Sequence, residues 1–163
     1  NPILAFFTYG EGYHNYHHTF QWDYRNGIRW WHFDPTKWMI SLLSFAGLTR
    51  DLKRCNPAQI EKARLELQYL KATEKCERFD IPESWRLRLE TEYEQLLQTL
   101  QLWSEHRQAW YEAKGKQLQQ SLNSIDQLQL KHSYKEVQYR LKAQKQRWQN
   151  LLLDLAQPQL QLI

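Results

Sequence analysis

The sequence predicts an all-α protein made of two parts, and three observations support this prediction. In the second part, apolar residues recur at alternating steps of four and three over two long stretches, a pattern that is typical of packed helices. The pairs Asp34-Pro35 and Asn56-Pro57 have the form of helix starts. The first 50 residues hold 13 of the 23 aromatic residues and four of the six histidines. We therefore predict one part at residues 1–54 and a helical extension at 55–163.

Composition and charge exclude several classes of protein. The chain has 163 residues, of which 25% are charged and 42% hydrophobic, so it is neither a fully disordered chain nor a run of membrane spans. The two cysteines are too few for a disulfide framework and lack the spacing of a zinc site. A net charge of +4 suits an anionic membrane surface or acidic ligands, but it is too weak to indicate nucleic acid.

The first residues predict that the sequence begins in the middle of a longer protein whose N-terminal part is missing. Asn1-Pro2 leads directly into the apolar run 3–7, without an initiator Met, a basic segment or a cleavage site that would indicate a signal peptide. The proline suits the first turn of a helix, and we predict this helix over residues 2–18.

Residues 20–35 are predicted to be irregular, and a short apolar helix follows them. Asp23 and Asn26-Gly27 are turn signals, and Asp34-Pro35 supplies an N-cap and a first-turn proline. The uncharged segment 38–48 is too short to cross a bilayer, because crossing takes about 20 apolar residues.

Aromatic and basic residues flank this apolar helix, which is typical of a segment that lies at a membrane interface. The predicted interface anchors are Trp30, Trp31, Lys37 and Trp38. Further basic residues follow the helix in the segment 50–54. On these residues alone, a core helix of a soluble domain is an equal alternative.

The extension is predicted to begin with a helix over 57–78 and to continue, after a break at 80–84, as an antiparallel coiled-coil-like hairpin with its turn within 114–131. The first seam consists of Leu89, Tyr93, Leu96, Leu100, Trp103 and Trp110. The second seam consists of Val137, Leu141, Gln144, Trp148, Leu151 and Leu155. Packing or self-association is the function that such a hairpin indicates.

The residues that carry chemistry are three histidines in an HxxHH pattern, His14, His17 and His18. Because each residue of an α-helix advances by about 100°, the three imidazoles would fall within an arc of roughly 100° on one face. Such a face can present nitrogen donors to a metal, and imidazole suits zinc, copper, iron and nickel alike. The pattern predicts one catalytic ion or part of a larger site completed elsewhere, with surface or packing histidines as the alternative.

Residues 10–25, with the sequence GEGYHNYHHTFQWDYR, resemble the third histidine box of membrane fatty acyl-CoA desaturases of the stearoyl-CoA type. The continuation over 26–38 and 48–54 is similar to the bacterial branch of that family. This resemblance covers about the first third of the chain, and the helical remainder is similar to the C-terminal extension of the same branch.

The resemblance implies a C-terminal part of a membrane four-helix di-iron protein, multi-pass in its full length, with this part on the cytoplasmic face. It implies that His14, His17 and His18 are iron ligands, whereas the other ligands and the spanning helices are missing from this sequence. The implied reaction uses O2 and two electrons to place a cis double bond, usually at the ninth carbon, in a saturated acyl chain. The fragment is expected to be inactive alone.

The resemblance also implies a set of partners and supporting residues. The expected partners are a fatty acyl-CoA substrate, O2, membrane lipid and an external electron donor similar to a ferredoxin, a cytochrome or a reductase. Glu11 and Asn15 are predicted to hydrogen-bond the far nitrogen of an imidazole, with ordinary polar surface as the alternative. Arg25 and Arg29 are predicted as surface charges, with anionic headgroups or the phosphates of CoA as alternative partners. An interfacial position of the apolar helix is now favoured over a soluble core.

Two other functions are open from the sequence. A non-catalytic helical interaction module would hold the histidines as a structural or adventitious metal site. A related membrane di-iron hydroxylase would share the iron chemistry and form an alcohol instead of an alkene.

Overall fold

The computed structural model describes residues 14–117 and 124–156, and all regular structure in these ranges is helical. Within these ranges the structure has five helices, α1 at His14–Thr19, α2 at Pro35–Phe45, α3 at Pro57–Arg78, α4 at Glu83–Gln117 and α5 at Ser124–Ala156. The chain divides into two compact units, Asn1–Pro57 and Ala58–Ile163. The prediction of an all-α protein is therefore confirmed.

In the first unit, α2 begins where its sequence signals predict. The Asp34 carboxylate accepts a hydrogen bond from the Lys37 backbone N–H at 3.0 Å, and Pro35 occupies the first turn, where no backbone donor is needed. The helix ends at Phe45, and two residues later Gly47 has a φ of +76°, in the left-handed region that favours glycine. The Leu48 N–H then reaches back to the Leu43 carbonyl at 2.9 Å, which closes the helix end.

Only the end of the helix predicted over residues 2–18 lies in the described part of the chain. Its last residues form α1, and residues 1–13 lie outside the described part of the chain. Residues 20–34 contain no α-helix, as the turn signals predict, and they connect α1 to α2. In the described ranges, no helix combines the length and the apolar character that crossing a bilayer requires.

The second unit contains α3, α4 and α5. The helix predicted over 57–78 is present, and the break predicted at 80–84 is present as the shorter segment 79–82, because α4 already begins at Glu83. At the break, Asp80 has a φ of 47°, and the Ile81 N–H bonds to the Cys76 carbonyl at 3.0 Å. The predicted hairpin turn falls between the end of α4 and the start of α5, and residues 118–123 lie outside the described part.

The two predicted seams form most of the core of this unit. Its fully buried seam residues are Leu89, Leu96, Leu100, Leu141, Trp148, Leu151 and Leu155. Burying an apolar side chain of this size contributes about 1.5–3 kcal/mol to folding. Tyr93 of α4 contacts Trp148 of α5 with ring centres 6.2 Å apart, and Glu92 lies 3.8 Å from Arg147. α4 and α5 therefore pack against each other along these seams, and their antiparallel coiled-coil arrangement stays a prediction.

The structure adds a third member to the predicted hairpin, because α3 packs on it. Leu65, Ala72 and Cys76 of α3 belong to the same buried cluster as the seams. The Tyr69 ring of α3 stacks on Tyr93, with ring centres 4.4 Å apart and planes 8° from parallel. The unit is therefore a bundle of three helices instead of a hairpin preceded by a separate helix.

Candidate metal centre and the loop that supports it

The HxxHH pattern forms α1, so the backbone carries the three predicted ligands on one short helix. The ring centres of His17 and His18 are 6.5 Å apart. His17 is half-buried and His18 is exposed, so both rings are within reach of groups outside this helix. The side chains of His14 and Asn15 and the whole of Glu11 lie outside the described part of the structure.

The donor chemistry of α1 fits iron as part of a larger site. Imidazole nitrogen is a common ligand for iron and for zinc, copper and nickel. Among the side chains that the structure describes, no group of three or more His, Cys, Asp and Glu residues lies close enough to hold a metal ion. Three imidazoles from one helix leave coordination positions that further donors have to fill. Iron binding by His14, His17 and His18 therefore stays a prediction.

The side chain that connects α1 to the rest of the unit is Asp23, which is only 1% exposed. Its Oδ2 accepts hydrogen bonds from the Tyr16 hydroxyl at 2.6 Å and from the Cys55 backbone N–H at 2.8 Å. Arg25 donates to the same carboxylate from its backbone N–H and from its guanidinium, at distances of 2.7–3.0 Å. We call Asp23, Tyr16, Arg25 and the Cys55 backbone the Asp23 cluster.

These contacts decide the charge state of the cluster. Burial alone would raise the pKa of the Asp23 carboxyl, but hydrogen bonds from Arg25, Tyr16 and the Cys55 backbone outweigh burial and hold that pKa well below its usual range. Burial and the bond to Asp23 both raise the pKa of the Tyr16 phenol far above its usual value. The cluster is therefore a carboxylate with neutral tyrosine and charged arginine partners.

A second buried charge, Lys37, organises the loop before α2. Its Nζ donates to the backbone carbonyls of Gly27 at 3.1 Å, Arg29 at 2.9 Å and His32 at 3.3 Å. Asp34 lies beside it, and its Oδ2 accepts hydrogen bonds from the backbone N–H groups of Asn26 at 2.8 Å and Gly27 at 2.9 Å. We call Lys37, Asp34 and these backbone partners the Lys37 cluster.

The position of Lys37 differs from the predicted one at a lipid boundary, because its own loop encloses the ammonium. The residue is 6% exposed, and burial lowers the pKa of its ammonium while Asp34 opposes that shift. The prediction that Arg25 is a surface charge is wrong, because its guanidinium binds Asp23 and its side chain is 15% exposed.

The three predicted tryptophan anchors, in contrast, are exposed. Trp30 is 81% exposed, and Trp31 lies against it edge to face with ring centres 5.7 Å apart. Trp38 is exposed near the start of α2. The apolar residues exposed along and after α2 are Met39, Leu42, Phe45 and Leu48.

Gly27 is the point where the loop packs most tightly. A Cβ atom on this residue would lie 2.5 Å from the His32 Cβ, closer than two such atoms approach in proteins. The loop can therefore bring residues 27 and 32 together only because glycine has no side chain.

Sequence reasoning identified Asp23 and Asp34 as turn residues but missed the clusters around them. The capping pattern of Asp34-Pro35 predicts one of the observed bonds, from the Lys37 N–H. The bond between Asp23 and the Cys55 backbone joins residues 32 positions apart, and no local pattern indicates it. An aspartate followed two residues later by an arginine is a common sequence pattern, so it does not predict that the two form a buried ion pair.

Known desaturases are similar to part of this chain. Acyl-CoA desaturase 1 of Saccharomyces cerevisiae is 48% identical over 75 residues, which is 46% of this chain and 15% of that protein. Stearoyl-CoA desaturase 5 of Homo sapiens is 46% identical over 66 residues, 39% of this chain and 20% of the human protein. The sn-1 stearoyl-lipid 9-desaturase of Synechocystis is 46% identical over 50 residues, 31% of this chain and 16% of that protein.

The chain therefore spans only about a fifth or less of the length of these relatives. No model of a protein family matches the chain, and no solved structure matches it. By its sequence, the chain is similar to part of the acyl desaturases of fungi, animals and cyanobacteria.

Proposed function

We propose that this chain is part of a membrane fatty acyl-CoA desaturase and supplies three of its iron ligands, His14, His17 and His18. The observation that carries the proposal is the HxxHH pattern on one short helix, in a chain whose relatives are named as desaturases. The relatives support an oxidoreductase that acts on acyl chains. The bacterial branch, the di-iron arrangement and inactivity of the fragment alone are further parts of the proposal.

The proposed division of labour assigns the oxidation to iron and the positioning to the protein. Iron, when bound, supplies the O2-dependent removal of two hydrogens from an unactivated acyl chain, which no side chain can perform. His17 and His18 present imidazole nitrogens, and these ligands resist the oxidation that destroys thiolates. We also propose that the product has a cis double bond at the ninth carbon and that the electrons come from an external donor, as the resemblance implies. Glu11 and Asn15 are proposed to orient the imidazoles.

The exposed tryptophans support a membrane interface on this unit. Indole rings prefer the boundary between lipid headgroups and acyl chains. Trp30, Trp31 and Trp38 are exposed, and Phe45 of α2 is 92% exposed. We propose that these residues contact the cytoplasmic face of the membrane. Lys37 does not contribute to this contact, because its ammonium is enclosed by the loop.

The three-helix unit is proposed to act in assembly. Its surface carries exposed apolar side chains on α3, α4 and α5, among them Leu70, Leu87 and Leu153. Self-association through these helices stays a prediction, and it is compatible with a desaturase whose chemistry resides in the first unit.

The proposal is tested in the full-length protein by replacing each of the three histidines with alanine. A labelled saturated acyl-CoA is supplied with O2 and a reductant, and product and bound iron are measured. We expect each variant to lose the unsaturated product and to bind less iron, whereas the matched control His132→Ala, an exposed histidine of α5, keeps both.

Three results would contradict parts of this proposal. Normal turnover in any of the three variants overturns the ligand assignment. An alcohol from the wild-type protein identifies a hydroxylase instead. A full-length protein without iron and without product supports the non-catalytic interaction module.

A further inference from the structure

The position of α1 depends on contacts from outside the helix. Its described part, residues 14–19, has six residues, and isolated helical segments shorter than about 12–15 residues are marginal in water. One side-chain hydrogen bond that ties α1 to the following loop runs from the Tyr16 hydroxyl to the Asp23 Oδ2 at 2.6 Å. Tyr16 also contacts Phe20, with ring centres 5.2 Å apart.

Tyr16 lies on the face of α1 opposite the histidines. At about 100° per residue, Tyr16 is roughly 150° round the helix from the middle of the arc that contains His14, His17 and His18. A bond that holds Tyr16 therefore fixes the helix from behind. It sets the direction of the imidazoles without occupying any of their nitrogens.

Asp23 is itself fixed by a distant part of the chain. The Cys55 N–H, which follows α2 along the chain, donates to the same oxygen as Tyr16. Arg25 adds three donors, its backbone N–H and Nε to Oδ1 and its Nη2 to Oδ2. An ionised carboxylate has about four acceptor positions, so all of them are used and the carboxylate has little freedom to turn.

We propose that Asp23 and Tyr16 are positioning residues, which clamp α1 by its rear face and so direct His14, His17 and His18 towards the metal. This inference rests on the proposed function, since it assumes that the three histidines bind iron. Partners that orient metal ligands from behind typically change metal affinity 10–100-fold when they are removed.

Tyr16→Phe is the decisive variant, because it removes one hydroxyl and leaves the ring and the other donors to Asp23. Tyr24→Phe is its matched control in the same loop. The Tyr24 hydroxyl accepts a hydrogen bond from Arg54 Nη2 at 2.9 Å and lies 3.4 Å from the Ser41 Oγ, so it makes no bond to α1. Asp23→Asn and the double variant complete a double-mutant cycle. If the two residues act together as a clamp, the effects of the two substitutions on iron loss are not additive.

The experiment uses the full-length, iron-loaded protein and follows three quantities. These are the rate of iron loss to a chelator, the visible absorption of the cobalt-substituted protein, and hydrogen exchange of peptides that contain α1. For Tyr16→Phe we expect about 10-fold faster iron loss, an altered cobalt spectrum and faster exchange in α1 alone. Tyr24→Phe should match the wild type in all three, and the double variant should lose iron no faster than Asp23→Asn.

Each contrary result has a defined meaning. If Tyr16→Phe leaves iron loss, the cobalt spectrum and α1 exchange unchanged, the clamp is overturned. If exchange rises throughout the unit and the cobalt spectrum stays that of the wild type, the two residues are only structural, and the positioning role is overturned. If the wild-type protein holds no iron, the proposed function and the positioning role both fail, while exchange still decides whether Asp23 fixes α1.

Discussion

In the unit that contains α1 and α2, buried charges hold irregular backbone in place, whereas in the unit of α3, α4 and α5 apolar side chains hold regular helices together. Asp23 and Lys37 are almost fully buried in the first unit, and both bind backbone groups of loops. The second unit buries mainly leucine and tryptophan at helical spacing. A site on a loop needs backbone polar groups satisfied one by one, whereas a helix satisfies its own.

This difference has a consequence for how each unit fails. A buried carboxylate or ammonium with several partners loses all of them in one substitution, and the partners are left unsatisfied. An apolar core loses contacts in proportion to the volume removed. The variants below separate the two behaviours, and hydrogen exchange of the full chain reports each unit by its own peptides.

The largest effect is expected from Trp148→Ala in the second unit. Trp148 is 1% exposed, and its Nε1 donates to the Gln68 Oε1 at 3.0 Å, so the substitution leaves a large cavity between the helices. We expect a loss of about 3–5 kcal/mol in the stability of this unit. Faster exchange in peptides of α3, α4 and α5 measures it. Exposed Tyr139→Ala on α5 is the control, and an equal loss there would contradict the core assignment.

Asp23→Asn should destabilise the first unit by about 2–3 kcal/mol and remove part of its pH dependence. Because the pKa of Asp23 is lowered on folding, its stabilisation is complete above the unfolded pKa of about 3.9 and is lost as the pH falls through the folded value. Hydrogen exchange of residues 16–25 in the wild-type protein should therefore become faster below about pH 4, with labelling times scaled to the intrinsic exchange rate at each pH. The same pH dependence in Asp23→Asn would exclude Asp23 as its source.

Lys37→Met should destabilise the loop of the first unit by about 1–3 kcal/mol, because it keeps the side chain out to the ε position but removes the ammonium and leaves three carbonyls without their donor. Exchange in peptides that span residues 26–34 measures the change. Lys53→Met, at an exposed lysine of the same unit, should have no effect there. If both variants behave alike, the Lys37 cluster does not hold the loop.

A pair of glycines gives the sharpest comparison, although the effects are small. Gly27→Ala places a Cβ 2.5 Å from the His32 Cβ and should cost about 1–3 kcal/mol in the first unit. Gly115→Ala on α4 meets nothing within 4 Å and should stabilise the second unit by about 0.5–1 kcal/mol. Thermal unfolding with exchange assigns each change to its unit. Opposite signs are expected, and equal signs would contradict the contrast between loop and helix.

The amino-acid sequence by itself determined the helices and their apolar seams. Helix starts at Asp34-Pro35 and Asn56-Pro57, the break before α4 and the burial of Leu96 and Trp148 all follow from local spacing and capping. The grouping of the three histidines on α1 follows from the same helical geometry. These features depend on residues a few positions apart, so a local pattern is enough to specify them.

Only the tertiary structure decided how the charged residues are used. Arg25 and Lys37 have the sequence character of surface cations, yet each belongs to a buried cluster. Arg25 binds its near neighbour Asp23, which the distant Cys55 N–H also binds, and Lys37 binds the Gly27 carbonyl ten residues before it. The packing of α3 on the seams through Tyr69 and Tyr93 was decided in the same way. A buried charge is stable only when hydrogen-bond partners surround it, and only the folded chain brings these partners together.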